Sequence, residues 1–305
     1  MKEIITNLRS ENKFAIYSSL FRIFIGIYLL KDVYLMWDFN ELFFEASSFL
    51  EPTNSFLLDF FNIDTAIVRN NFTTFYSCYI IIILLYILGI GKNYTALVLL
   101  FFLEVVQNLT WITLNGGDNI IKIVMIYMIF IDSFRYFTIS KGYKNETTNS
   151  YTNFLSNLAG YSICIHLCLI YFISAVHKIN ADVWFNGVAT YYILAGERFI
   201  GTPWNIPLVK NGYFVTLSTY GTILIELLYP FLIWFRNTRK IFIISAIMLH
   251  TGIAIFMMLY DFQLVFILLQ GFFLSNKFWV KVFQKILNWK PLEIFKTKLS
   301  ILYRP

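Results

Sequence analysis

Eight apolar stretches, each about long enough to cross a hydrocarbon layer, constrain this chain more than any motif does. They run Phe14–Lys31, Phe72–Ile90, Tyr94–Thr113, Ile120–Phe137, Leu155–Val176, Tyr213–Phe235, Ile241–Met258 and Phe262–Trp279. About 20 apolar residues span the bilayer core as a helix, and a helix satisfies its own backbone groups where no water can. The spacing predicts an all-α, polytopic transmembrane helical bundle of about eight spans. Composition agrees: charged residues make up only 14% of the chain, where a soluble domain carries about a quarter. The first stretch lacks a small-residue cleavage site and reads as a span, not a signal peptide.

Loop charges predict the orientation. Lys2, Arg9 and Lys13 precede the first span, Lys92 lies between the second and third, and Arg135, Lys141 and Lys144 follow the fourth. Arg236, Arg239 and Lys240 follow the sixth, and Lys277, Lys281, Lys285, Lys290, Lys296, Lys298 and Arg304 follow the eighth. All fall on one side if both termini are cytoplasmic, as the positive-inside tendency demands. The intervening loops are acidic and include two long ones, Trp37–Asn71 and His177–Asn211. A short amphipathic helix is expected around Phe56–Phe60. The pI near 9.0 thus reflects topology and not nucleic-acid binding. Residues 1–280 are expected to form the bundle. Residues 281–305 form a basic amphipathic cytoplasmic tail suited to anionic lipid.

Ionisable side chains within spans are costly and invite a functional reading. The fifth span ends Ser174-Ala-Val-His177-Lys178, with Asp182 nearby. A lysine at a membrane edge either snorkels to the interface or, partly desolvated, serves as a general base. Glu104 and Glu226 are the deepest acids, and His166 and His250 the other imidazoles. Glu104 and His166 read as interhelical contacts; for Glu226 and His250 the structural and functional readings stand level. Haem ligation by the two histidines has no specific support. Lys122 and Asp132 flank the fourth span and can pair with neighbouring helices. Asp118, after Gly116–Gly117, suits the N-cap of the fourth span. Cys164 and Cys168 share a helix face, which reads as packing, and no metal site is expected.

The stretch from Tyr171 to Leu194, YFISAVHKINADVWFNGVATYYIL, resembles the vitamin K-dependent γ-glutamyl carboxylase superfamily, also called the HTTM domain. That family's hallmark is a span ending in a basic pair or single lysine, then an acidic residue, a Trp and a Gly. Lys178, Asp182, Trp184 and Gly187 fill those places. Leu114–Phe137 is similar to the family's preceding span and Ala246–Leu264 to its late His-containing helix. The resemblance therefore covers roughly residues 14–279.

It implies an extracytoplasmic-facing site. In the carboxylases, a lysine at the position of Lys178 deprotonates a reduced naphthoquinone. Oxygen then adds, and the basic product takes a proton from a peptide Glu before CO₂ attacks. Carried over, Lys178 is the implied base, with His177 and Asp182 tuning its protonation. His250, Glu226, Asp118 and Trp184 are expected around the cofactor, a membrane quinol such as reduced menaquinone or vitamin K. The chain departs from the carboxylases at Gly116–Gly117–Asp118, where they carry a histidine. No counterpart of their large extracytoplasmic domain follows the bundle.

In length the chain is similar to short bacterial members, including membrane proteins that mature the sporulation-delaying peptide toxin. The resemblance implies a multi-pass protein of a bacterial inner membrane that uses a lipid quinol to modify a secreted peptide or small molecule. Its expected partners are the bilayer, the secreted peptide and a soluble protein supplying the absent domain. The alternative is a non-catalytic partner for maturation or export of a peptide toxin. A transporter is disfavoured, because no inverted repeat is visible.

Overall fold

A computed structural model describes residues 2–44, 56–139 and 150–287. Every regular element among them is helical. The first half holds α1 (Lys2–Ser10), α2 (Ala15–Met36), α3 (Asn40–Phe44), α4 (Phe56–Phe60), α5 (Thr65–Asn70), α6 (Phe72–Leu88), α7 (Lys92–Leu109) and α8 (Gly116–Met128). The second holds α9 (Ser150–Ile179), α10 (Asp182–Phe185), α11 (Ala189–Ala195), α12 (Asn205–Val209), α13 (Gly212–Leu232), α14 (Arg236–Met257), α15 (Tyr260–Leu269) and α16 (Asn276–Leu287). Most of the expected tail, and Lys141 and Lys144, lie outside the described residues.

Three helices, α9, α13 and α14, are by themselves long and apolar enough to cross a membrane. The number rises to five if two bent pairs, α1 with α2 and α15 with α16, each count as one span. The other expected spans are shorter or more polar. α6 is apolar but ends at Leu88. α7 carries Glu104, Gln107 and Asn108 in its last turns, all buried. α8 stops at Met128, so the stretch to Phe137 is not helical throughout.

The chain forms two compact units, one of residues 1–160 with 275–305 and the other of residues 161–274. In the first, α2 packs on α6 at Gly26, where a Cβ would stand 2.2 Å from Ile87 Cγ1. Here glycine is required by close approach. One turn earlier Arg22 is fully buried, and backbone carbonyls take all five of its N–H groups. Nε donates to Ser133 O (3.0 Å), Nη1 to Ile87 O (2.8 Å) and Tyr86 O, and Nη2 to Phe137 O (2.7 Å) and Tyr136 O (3.4 Å). The segment after α8 therefore leaves the helical path and wraps the guanidinium, which also faces the Phe134 ring at 5.0 Å.

The same end of this unit is sewn by asparagines. Asn157 accepts from Lys13 N (2.8 Å) and donates to the carbonyls of Leu8 and Glu11. Asn276 at the start of α16 accepts from Ile16 N (3.3 Å) and donates to Asn12 O (2.8 Å). Trp279 then stacks on Tyr17 at 4.6 Å.

In the second unit, the short helices α10, α11 and α12 cover the end where α9 stops and α13 begins. Asn205, fully buried, is their hub. Its amide donates to Leu194 O, Phe199 O and Phe256 O (2.8 Å), and its oxygen accepts from Thr202 Oγ1 (2.8 Å). Those bonds tie the loop to the end of α14, so Asn205→Ala should lower stability by about 2 kcal/mol, the cost of stranding buried carbonyls. A thermal-unfolding midpoint unchanged from wild type would sink that assignment. Thr190 on α11 meets Ser218 and Thr219 on α13, each at 2.9 Å between hydroxyls. Gly187 takes a left-handed φ of +72°, and a Cβ there would meet the Tyr220 ring at 2.8 Å.

Candidate functional site

On α9, Tyr171, Ser174 and Lys178 recur at helical spacing and share a face. α13 presents Glu226 to that face. Lys178 Nζ donates to both carboxylate oxygens of Glu226, at 2.6 and 2.5 Å, and to Ser174 Oγ at 2.7 Å. An ammonium has three hydrogens, and all three are placed. The Lys178 side chain is 19% exposed and that of Glu226 only 9%, so the charges neutralise each other at the edge of the core. Trp184, from α10, lies 5.1 Å from Nζ and covers the pair in cation–π fashion.

The backbone around Glu226 is also special. Pro230 lies inside α13 and has no N–H, so the Glu226 carbonyl, four residues back, receives no helical hydrogen bond from it. Below the ion pair an apolar groove of about 400 Å³ opens between the two helices, lined by Ile165, Leu169 and Phe172 from one and Pro230, Phe231 and Trp234 from the other side.

Deeper in the same unit five buried polar side chains form one chain of hydrogen bonds. Tyr171 Oη and His250 Nε2 are 2.6 Å apart, and His250 Nδ1 meets Gln263 Oε1. Gln270 Nε2 donates to Tyr171 Oη (3.3 Å), and Tyr229 Oη donates to Gln270 Oε1 (2.5 Å). The rings of Tyr171 and Tyr229 pack at 4.3 Å.

Of the residues singled out from sequence, the structure brings Lys178, Glu226 and Trp184 together. It joins His250 to α9 through Tyr171. Both nitrogens of His250 are engaged, which leaves none for a haem iron. His177 and Asp182 are exposed and hold none of the three Lys178 hydrogens; His177 is one residue round the helix, and Asp182 opens α10. Asp118 belongs to the first unit. Its carboxylate accepts from Tyr28 Oη (2.9 Å) and from Asn115 N (2.8 Å). The N-cap is Asn115, and Asp118, the third helical residue, closes a capping box, because the helix starts at Gly116. Glu104 pairs with Lys122 at 3.2 Å, an interhelical contact. Cys164 and Cys168 are free, buried thiols. No cluster of three or more metal-ligating side chains occurs among the described residues.

Ser174, Tyr171, Tyr229, Gln263 and Gln270 complete the arrangement without having been singled out. A signal existed for the glutamines: two uncharged polar residues seven apart on one face of an otherwise apolar helix. Arg22 carried a stronger one, a lone guanidinium inside the first apolar stretch.

Among curated proteins the chain is similar to the uncharacterized protein YitO of Bacillus subtilis (strain 168). They are 28% identical over 126 residues, which is 39% of this chain and 39% of that relative. The matched stretch thus spans well under half of the relative's length. No family model matches the chain, and no solved structure matches it.

Proposed function

We propose that the chain is a carboxylase-like integral membrane enzyme that uses a lipid quinol to modify a secreted peptide or small molecule. On this reading it is a multi-pass protein of a bacterial inner membrane, with about eight spans and both termini cytoplasmic. Its reactive face is extracytoplasmic, and a soluble partner supplies peptide-binding surface. The observation that carries the proposal is the pairing of Lys178 with Glu226 under Trp184, at the end of a long apolar helix.

The donor set suits a quinol. Lys178, Ser174 and Glu226 offer donors and acceptors for ring oxygens, Trp184 offers an aromatic face, and the groove below offers an apolar seat for a tail. A bound quinol would supply reducing equivalents and, after reaction with oxygen, a strong base. The protein's part is proton handling. In the resting pair Lys178 is an ammonium and cannot itself take a proton. Passing one proton to Glu226 leaves a neutral amine beside a neutral acid. Lys178 Nζ can then accept a hydroxyl proton from the quinol, while Ser174 keeps the amine oriented. His177 and Asp182, both exposed, are placed to exchange protons with water or meet a peptide.

The test is the mass of neighbouring secreted peptides from cells carrying wild-type protein or Lys178→Ala. A modification that disappears, with the variant still in the membrane, is the expected result. A modification that persists would remove Lys178 from the chemistry. The saturation of all three Lys178 hydrogens also favours the second reading, a non-catalytic partner for peptide toxin maturation or export. In that case peptide mass stays constant while secretion falls.

A further inference from the structure

Tyr171, Tyr229, His250, Gln263 and Gln270 come from α9, α13, α14, α15 and the turn that follows α15, and each is buried. One backbone oxygen fixes the directions at Gln270. Gln270 Nε2 donates to Phe266 O at 3.2 Å, and a carbonyl can only accept. That fixes which end of the Gln270 amide is nitrogen. Gln270 Oε1 must then accept from Tyr229, and Nε2 must give its second hydrogen to Tyr171 Oη.

Tyr171 Oη, having accepted from Gln270, keeps its own hydrogen for His250 Nε2 at 2.6 Å when that nitrogen is the unprotonated one. A neutral His250 with its proton on Nδ1 fits both contacts, donating to Gln263 Oε1 and accepting from Tyr171. Stacking of the imidazole on Phe266 at 4.5 Å holds the ring plane. The chain thus runs unbroken from Gln263 to Tyr229.

Its two tyrosines stand on the helices that carry the ion pair. Lys178 is two turns beyond Tyr171 on α9, and Glu226 is one turn before Tyr229 on α13. α13 is weakened at that point, because Pro230 removes a backbone bond. A bidentate contact at 2.5–2.6 Å tolerates little sliding of one helix on the other, so something besides α13 itself must set the register.

We propose that His250 and Tyr171 are positioning residues for the Lys178–Glu226 pair: their hydrogen bond ties α9 to α14, and Tyr171 passes the tie through Gln270 to Tyr229 of α13, so that both carboxylate oxygens reach the ammonium. The proposal rests on reading that pair as the reactive centre but makes a claim about geometry that needs no turnover to test. It predicts that breaking the chain at a distance frees the lysine.

The experiment is pulse acylation of the full chain in lipid nanodiscs with acetic anhydride at pH 8. Modification of Lys178 is followed by mass spectrometry against exposed Lys210 as the internal reference. Only the neutral amine acylates, so a lysine held as an ammonium by Glu226 reacts slowly. Glu226→Gln should raise the Lys178 rate about tenfold, because a neutral amide holds the side-chain nitrogen less tightly than a carboxylate does. Tyr171→Phe, which keeps the ring, and His250→Leu should each raise it roughly threefold or more, and pH profiles should move in parallel. His250→Gln, whose amide oxygen can still accept from Tyr171, should stay near the wild-type rate.

Wild-type rates in Tyr171→Phe and His250→Leu beside a raised rate in Glu226→Gln would overturn the proposal. So would an unchanged rate in Glu226→Gln, since the pair would then not be what shields Lys178. If His250→Leu fails to fold, Tyr171→Phe decides alone. Acylation that follows the expected pattern, together with peptide modification that survives Lys178→Ala, would leave the positioning intact and remove Lys178 from the chemistry.

Discussion

Arg22→Leu should destabilise the protein by roughly 3–5 kcal/mol, the range seen when one member of a buried charged arrangement is removed. The sign rests on what the substitution leaves behind. Exchanging both members of a buried ion pair for apolar groups is often harmless, but here the partners are five backbone carbonyls that no mutation removes. Ile87 lies in the last turn of α6, where carbonyls lack helical partners, and Ser133, Tyr136 and Phe137 lie in irregular chain. Without the guanidinium they are stranded among Phe134, Tyr86 and other buried rings. Arg22→Lys should recover only part of the loss, since one ammonium with three hydrogens cannot reach acceptors spread around a planar fork. The thermal midpoint of purified protein, read by tryptophan fluorescence, orders the three: wild type, then lysine, then leucine. Leucine within 1–2 °C of wild type would mean that those carbonyls find water, and the cage would lose its structural role.

The second large effect concerns Glu226. Glu226→Ala strands an ammonium that is mostly covered, so a loss of roughly 2–4 kcal/mol is expected. Lys178→Met with Glu226→Met removes both charges and fits an apolar surrounding. The double variant should return to within about 1 kcal/mol of wild type. A double variant as unstable as Glu226→Ala would show that the pair's attraction is not what the site depends on. The recovered variant has a further use. It separates stability from chemistry, because a folded protein lacking both groups that yields no modified peptide assigns the pair a chemical task.

The helical class of this chain was legible because apolar stretches of span length admit few alternatives. The ends of those stretches were less so. Nothing in the run Ile120–Phe137 announces that it leaves the helix after Met128, because what draws it away is a guanidinium over a hundred residues earlier. The site shows the same division. Lys178 stood out by type and place, but its partner was sought among neighbours in sequence, His177 and Asp182. Helical phase turns His177 away by about 100° per residue, and the end of α9 carries Asp182 beyond reach. Glu226, 48 residues on, meets Lys178 because two helices pack, and a single sequence does not display such pairings. Asp118 was readable as a capping group, though at the third helical position and not at the N-cap, since helix starts are uncertain by a residue or two.

The length of α9 has a consequence for how reactants could arrive. At 30 residues it is roughly 45 Å long, against ~30 Å of hydrocarbon in a bilayer. Its first two turns carry Asn153, Ser156 and Asn157, which bind neighbouring backbone and side chains in place of lipid. Removing those eight residues leaves about 33 Å of apolar helix, close to the thickness of the oily layer. Lys178 is the next-to-last residue of that length. On the proposed reading, that is the depth at which a lipid-soluble reductant diffusing in the plane and a peptide held in water would meet.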